Sequence, residues 1–216
     1  MHESVLFHPA YFGSVLQFSV LSQNNNWVLE EQDNYQKQTY RNRQYIYGAN
    51  GKLLLNIPVK HGKSKRGHQK YKEVEIENQF TWQDNHWKSL QTAYRTSPFF
   101  EFYEDDFVPL YKKQFKYLFD FNLNCMEVVC ECLELPFSYK TTENYQLPGE
   151  TATTVKDYRK LANAKKGFNF SQDEYNQVFE EKHGFLKNLS VVDLLFNKGP
   201  ETLTYLEQQD LSGLQL

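Results

Sequence analysis

An Asn-Gly pair between two β-rich runs is the feature that most constrains how this chain can fold. The pair is Asn50-Gly51, and residues 40–59 around it read YRNRQYIYGANGKLLLNIPV. Asn-Gly is the preferred loop of a two-residue type I′ hairpin turn. With these two residues as the loop, the predicted pairing places Arg43 opposite Pro58.

Side-chain alternation divides this predicted hairpin into a polar face and an apolar face. The polar face holds Arg41, Arg43, Tyr45, Tyr47 and Asn56. The apolar face, suited to the core, holds Ile46, Leu53, Leu55, Ile57 and Val59. Two guanidiniums about 7 Å apart along a strand form a fork that suits phosphate or carboxylate. The alternative is a charge pair that protects a solvent-facing sheet edge, and the pattern alone leaves both open.

The remaining apolar patterns predict one α/β domain over residues 1–216, with a mixed β-sheet that includes the hairpin. Further strands are expected at 4–8, 27–31, 73–77 and 137–140, and helices at 14–23, 82–95 and 109–135. A C-terminal helical pair is expected from Ser190 onward, with Gly199 ending its first helix. Residues 141–170 read as an irregular polar connection that contains at most a short helix.

Composition and motifs narrow the class of protein. The longest apolar runs are too short to span a bilayer, and no signal-peptide pattern precedes the first strand, so a cytoplasmic location is expected. Cys125, Cys130 and Cys132 match no zinc or redox spacing, which predicts reduced thiols. Neither a P-loop nor a Rossmann glycine pattern occurs, and the sequence indicates no metal site, no particular cofactor and no oligomeric state.

Positive charge is concentrated in one segment of a chain whose net charge is -3. Residues 60–72 read KHGKSKRGHQKYK and contain no acidic residue. This pattern is typical of a basic loop, which either captures an anion or is simply solvated.

His8 ends the first predicted strand, and Ser14 is a suitable N-cap for the helix that follows. A helix N-terminus beside such a turn favours anions. Nucleotidyltransferases of the doubly wound type hold a triphosphate in a similar turn, but they use two histidines, and His8 stands alone here. A nucleotidyltransferase that binds a nucleotide is therefore an alternative function for this chain.

Several segments taken together resemble the WbqC-like protein family, in a form seen in Bacteroidetes-like bacteria. They are HPAYFGSVLQF, YRNR, the Ile57-Pro58-Val59 run, TWQDNHWKSLQTAYRTSPFFEFYEDD and NLSVVDLLFNKGP. The resemblance covers nearly the whole chain, from Val5 to about Pro200. The resemblance implies a transferase that accompanies O-antigen, lipopolysaccharide and other surface-polysaccharide biosynthesis. Family members usually carry His-Gln-Pro in the first turn, whereas this chain has His8-Pro9, so a polar contact from that Gln is not carried over.

An acyl, aminoacyl or glycosyl transferase needs a proton acceptor and a positive pocket for a phosphorylated or carboxylated substrate. The candidate catalytic residues are His86, His8 and Glu31. The candidate substrate-binding residues are Arg41, Arg43, Asn42, Asn34, Tyr45 and Asn56. His86 lies on the apolar face of its predicted helix, so a core histidine is its alternative role.

A non-catalytic module that binds anionic polysaccharide or nucleic acid is the contrasting function. The basic loop and the tyrosine-flanked arginines would suit such a module. A sequence pI of about 6.1 and one short basic segment make nucleic acid an unlikely partner.

Overall fold

The computed structural model describes residues 3–60, 69–151, 154–165 and 167–214. In chain order its strands and helices are β1 (Ser4–Phe7), α1 (Val15–Ser22), β2 (Trp27–Leu29), β3 (Arg43–Gly48), β4 (Gly51–Asn56), α2 (Trp82–Tyr94), α3 (Phe100–Lys112), α4 (Leu118–Cys132), β5 (Tyr139–Thr141), β6 (Val155–Asp157), α5 (Glu180–His183), α6 (Val191–Lys198) and α7 (Thr202–Gln208). The predicted α/β class, with its hairpin and C-terminal helical pair, is confirmed.

A four-stranded parallel sheet forms the centre of the fold, in the order β5-β2-β1-β6. β1 lies inside the sheet, and its Val5 pairs with Trp27 on one side and with Lys156 on the other. Val5, Leu6 and Phe7 are all buried, and so is every residue of α1. A strand covered on both faces shows a continuous apolar run, which is why SVLF lacks alternation.

The hairpin forms a separate two-stranded sheet whose register differs by two residues from the prediction. Arg43 pairs with Asn56, and Gly48 pairs with Gly51. A type I′ turn needs positive φ at both loop residues, but the positive φ of this turn, 93°, belongs to Gly51. The loop therefore consists of Ala49 and Asn50, and the left-handed glycine follows it.

A slip of two residues leaves every strand side chain on its predicted face, because alternation has a period of two. Ile46, Leu55 and Ile57 are buried, as predicted for the apolar face. Leu53, near the turn, is 39% exposed.

Two predicted elements are wrong. Residues 73–77 are not a strand: Glu73 ends the 3-10 turn Tyr71–Glu73, and Glu75 and Ile76 each form an isolated β-bridge. The single helix expected over 109–135 is instead the pair α3 and α4. Between these helices the backbone pairs with the segment after the 3-10 turn, through Ile76 N to Lys116 O at 2.9 Å and Leu118 N to Val74 O at 2.9 Å. These bonds replace helical ones although the apolar period continues through the break.

The predicted short helix around 156–161 is also wrong, because β6 occupies its first residues. Ser4 pairs with Val155 and Leu6 with Asp157, and a 3-10 turn at Arg159–Ala162 follows. Val-Lys-Asp has no strand pattern of its own, so this segment is a strand because of its hydrogen bonds to β1.

Asp193 joins the C-terminal helices to the rest of the fold. Its carboxylate is fully buried and accepts hydrogen bonds from Tyr94 OH and Tyr175 OH, each at 2.6 Å. Tyr94 OH in turn accepts from Tyr47 N of the hairpin at 3.0 Å. Burial raises the pKa of Asp193 to about 6.

The three cysteines lie on or at the end of α4 without forming disulfides. Cys125, Cys130 and Cys132 are free thiols, and the first two are buried. Among the residues that the structure describes, no helix combines the length and apolar character that crossing a bilayer requires.

Gly199 ends α6 as predicted, and we expect Gly199→Ala to destabilise the protein. Gly199 has φ 55°, and an added Cβ would lie 2.5 Å from Phe99. Backbone strain and this clash together should lower the free energy of unfolding by about 2 kcal/mol or more, measurable by urea denaturation. Gly213→Ala, where an added Cβ has open space, is the matched control; equal stability of the two variants would contradict the prediction.

Candidate functional site

A cleft of about 330 Å³ opens at the carboxyl ends of the parallel strands. We call it the strand-end cleft, and its lining includes His8, Asp33, Arg41, Tyr145, Arg159 and Lys160. β6 lies on the opposite side of β1 from β2 and β5, so the strand order reverses at β1. Open α/β sheets bind ligands at the carboxyl ends beside such a reversal.

Arg41 is the charged centre of the cleft. The residue is 2% exposed, and its Nη2 donates to Asp33 Oδ2 at 2.8 Å. The same Nη2 lies 2.5 Å from His8 Nε2. Arg41 Nε is buried and has no hydrogen-bond partner among the described residues. A buried guanidinium with an unused donor can bind an oxyanion.

His8 is held in its neutral form. Burial, followed by the charge of Arg41, lowers the pKa of His8 to about 4, although Asp33 acts in the opposite direction. A guanidinium can only donate, so His8 Nε2 accepts from Arg41 and the ring proton is assigned to Nδ1. At neutral pH this imidazole can accept a proton.

Asp33 completes the cluster as an ionised carboxylate. Burial alone would raise its pKa, but the charge of Arg41 at 2.8 Å lowers the pKa below the usual value; His8 adds to this only when it is protonated, because the neutral Nε2 has no proton to donate. Its Oδ2 lies 3.1 Å from His8 Nε2. Asp33 therefore offsets the charge of Arg41 and would stabilise a protonated His8.

Arg159 has a structural part in the cleft wall. Its Nε and Nη2 donate to the two carboxylate oxygens of Asp157 at 2.9 and 2.6 Å. Its Nη1 donates to Glu30 Oε2 at 3.2 Å and to Gln146 O at 2.8 Å. Because these contacts occupy most of its donors, Arg41 and Lys160 are the cations better able to meet a ligand.

The predicted arginine fork is wrong. Arg41 lies in a turn before β3, outside the strand, and its side chain lines the strand-end cleft. Arg43 lines a different groove, together with Asn42 and Asn56. Side-chain alternation places neighbours on one face only within a strand, and Arg41 falls outside it.

The structure places His86 in the core rather than in the cleft lining. His86 Nδ1 lies 3.0 Å from Tyr11 OH, which lies 2.9 Å from Tyr111 OH. Burial lowers the pKa of His86 to about 4. His86 thus belongs to a buried tyrosine cluster, and its catalytic role stays a prediction.

The other candidates lie outside the cleft. Glu31 Oε1 pairs with Lys72 Nζ at 3.0 Å, Asn34 is exposed, and the half-buried Tyr45 lies beneath Lys52. Among the acids after β2, Asp33 reaches the cleft, while the fully buried Glu30 binds Arg159. The charged cleft residues that the sequence did not predict as site residues are Asp33, Arg159 and Lys160. The position of Asp33 shortly after a predicted strand could have indicated that it lies at the carboxyl end of the sheet. β6, which positions Arg159 and Lys160, has no strand pattern in the sequence, so these two residues could not have been predicted.

The expected anion site at the N-terminus of α1 is wrong, because protein acceptors occupy the first amides. Val15 N donates to Leu189 O at 2.9 Å, Leu16 N to Asn188 Oδ1 at 3.0 Å, and Gln17 N to the cap Ser14 Oγ at 3.3 Å. The nucleotidyltransferase alternative therefore loses the phosphate site on which it depended.

Part of the basic loop lies outside the described residues, namely 61–68. Its described lysines contact neighbouring polar groups: Lys60 pairs with Glu75 at 2.9 Å, and Lys70 donates to Gln32 at 2.8 Å. Within the described ranges, no group of three or more His, Cys, Asp or Glu residues could hold a metal ion.

Comparisons with known proteins identify relatives but no characterised activity. The family model described as the WbqC-like protein family matches residues 9–170, a range that begins one residue after His8. The uncharacterized protein Rv1507c of Mycobacterium tuberculosis is 24% identical over 212 residues, covering 88% of this chain and 90% of its own length. No solved structure matches.

We expect stability to fall as the pH is lowered from about 6.5 to 4, because His8 and His86 bind protons more weakly in the folded protein than in the unfolded chain. Asp193, whose pKa is raised on folding, binds a proton more tightly in the folded protein and offsets part of this fall below about pH 6. Each neutral histidine stabilises the folded protein fully at a pH above the pKa of histidine in the unfolded chain. This stabilisation, up to about 3 kcal/mol per histidine, is lost as the pH falls towards the pKa of the histidine in the folded protein. Urea denaturation across this range should show a shallower pH dependence in His8→Gln and in His86→Gln. The exposed His183→Gln should behave like wild type; an unchanged dependence in both buried variants would contradict the prediction.

Proposed function

This chain belongs to the WbqC-like protein family, and we propose that its strand-end cleft is the active site of a cytoplasmic transferase of surface-polysaccharide biosynthesis. The transferred group is of the acyl, aminoacyl or glycosyl type, and one substrate carries a phosphate or carboxylate. The buried Arg41 guanidinium, which lines a cleft beside His8 and whose Nε has no hydrogen-bond partner among the described residues, is the observation that carries the proposal.

The distribution of charge in the cleft, rather than its sum, favours an anionic substrate. Three cations, Arg41, Arg159 and Lys160, face three carboxylates, but Asp157 and Glu30 are both bound to Arg159, whereas Lys160 has no acidic partner among the described residues. An oxyanion bound to Arg41 would use the free Nε donor and remove the cost of leaving that donor buried and unpaired.

His8 is the residue proposed to accept a proton from the attacking hydroxyl or amine. Its ring is neutral, so it can act as a base without first losing a proton. A bound anion would draw Arg41 Nη2 away from His8 Nε2 and offset the positive charge, which makes protonation of Nε2 easier. Asp33, 3.1 Å away, would then stabilise the imidazolium.

Ligand-induced thermal stabilisation tests the binding part of the proposal. Nucleotide sugars, acyl-CoA and inorganic pyrophosphate are the probes; a ligand at about one hundred times its Kd stabilises the folded protein by about 2.7 kcal/mol. Lys160→Gln should weaken binding of the active probe about tenfold, since a hydrogen bond to a charged group contributes about 1.5 kcal/mol or more. Arg43→Gln, an arginine change outside the cleft, should leave binding unchanged.

Removing Arg41 alone would leave the Asp33 carboxylate buried without a positive partner. The test of Arg41 is therefore the double variant Arg41→Gln with Asp33→Asn. The double variant should fold, and the active probe should no longer raise its thermal stability. Stabilisation that survives in the double variant, or that disappears in Arg43→Gln, would overturn the assignment of the cleft.

Turnover tests the catalytic part. With the active probe and a sugar acceptor, His8→Ala should lower kcat by about a hundredfold or more while binding persists. Binding without turnover for any acceptor would indicate the anion-binding module instead.

A further inference from the structure

A second groove lies beside the hairpin and shares no lining residue with the strand-end cleft. Its volume is about 510 Å³. We call it the hairpin groove, and the residues that matter to its chemistry are Tyr35, Asn42, Arg43, Asn56, Pro58 and Phe80. The groove is thus a separate candidate site, built around the second arginine of YRNR.

A chain of hydrogen bonds leaves one buried acceptor in this groove without a partner in the described part of the chain. Arg43 Nε donates to Asn56 Oδ1 at 3.3 Å, which fixes that atom as an acceptor because a guanidinium can only donate. Asn42 Nδ2 donates to the same Oδ1 at 3.0 Å and to Ile57 O at 3.3 Å, so the orientation of the Asn42 amide is fixed as well. Asn42 Oδ1 is buried and meets no donor among the described residues.

Asn42 is only 6% exposed, so water has little access to this amide. An unsatisfied buried acceptor is costly, and native structures seldom keep one without a reason. A ligand that presents a hydrogen-bond donor to Asn42 Oδ1 would remove this cost.

Tyr35 adds a second unpartnered group. Its hydroxyl oxygen is buried and makes no hydrogen bond with the described part of the chain. Burial raises the pKa of Tyr35 to about 12, so the hydroxyl keeps its proton and can both donate and accept. Asn42 and Tyr35 together call for hydroxyl groups on the ligand.

The charges and the apolar wall restrict the ligand further. Arg43 is a cation of the groove lining whose hydrogen bond goes to a neutral group, Asn56. Lys60, also in the lining, is matched by Glu75 at 2.9 Å. The charge of Arg43 favours an anionic group on the ligand. Phe80, 65% exposed, provides an open aromatic face on which the C–H face of a sugar ring can pack.

We propose that the hairpin groove binds a carboxylated sugar. Arg43 pairs with the carboxylate, Asn42 Oδ1 and Tyr35 OH bond to ring hydroxyls, and Phe80 contacts the apolar face of the ring. The site does not depend on the function proposed for the strand-end cleft.

The probe is D-glucuronate. Two comparison ligands are D-glucose, which lacks the carboxylate, and acetate, which lacks the hydroxyls. Titration followed by ¹H–¹⁵N NMR of the Asn42 side-chain amide and Arg43 Nε–H should show saturable shifts with a Kd of about 1 mM. Glucose and acetate should each bind at least about tenfold more weakly. Equal affinity for either comparison ligand, or absent shifts at these two groups, would overturn the proposal.

Two variants that should not disturb the fold give the matched test. Tyr35→Phe removes only the unpartnered hydroxyl, and Phe80→Ala removes an exposed ring; each should weaken glucuronate binding about threefold to tenfold. Phe102→Ala, at a phenylalanine 72% exposed on α3, is the control for Phe80 and should bind like wild type. Wild-type affinity in both Tyr35→Phe and Phe80→Ala would refute the site.

Lys160→Gln separates this proposal from that for the strand-end cleft. It should leave glucuronate affinity unchanged, whereas a loss there would place the sugar acid in the cleft and refute the hairpin groove. Conversely, Phe80→Ala should retain the thermal stabilisation by the cleft probe.

Discussion

Burial of the Arg41 guanidinium is the constraint around which the site and its surroundings are arranged. Because this group keeps its charge at any relevant pH, the fold must bring partners to it. Asp33 and His8 reach its side chain, while Asn122 of α4 donates to its carbonyl at 2.6 Å and also contacts Tyr71 OH. The guanidinium and the backbone carbonyl of one buried residue thus join the end of β1, the segment after β2, the 3-10 turn at Tyr71–Glu73 and α4.

The same cluster explains how YRNR serves two surfaces. Arg41 precedes β3 in a turn and enters the strand-end cleft, whereas Arg43 begins the strand and enters the hairpin groove. Asn42, between them, contributes to the groove through an amide that Asn56 and Ile57 hold in place. Two guanidiniums that the sequence places together therefore line two separate clefts, each with buried polar atoms that have no hydrogen-bond partner in the described part of the chain.

Local patterns predicted those parts of the fold whose stabilising contacts are local. The hairpin strands, α2 and the glycine that ends α6 follow from alternation, helical period and left-handed backbone at Gly199. β6 and the break between α3 and α4 were missed, because their backbone partners lie far away in the chain, at β1 and at Val74–Ile76. Of the site, His8 and Arg41 were predicted, but the acid beside them was not, since Glu31 has the same local setting as Asp33.

The sequence by itself determined the α/β class, the two faces of the hairpin, the free thiols and the resemblance to the WbqC-like family. These properties depend on residue type and on side-chain periods of two and 3.6, which are short-range. Only the tertiary structure decided that Arg41 joins His8 and Asp33, that Arg43 faces a different groove, and that His86 packs against core tyrosines. Buried charges pair with groups on elements that are far apart in the sequence. The parallel sheet decides which groups meet, because it brings the carboxyl ends of β1, β2 and β6 together.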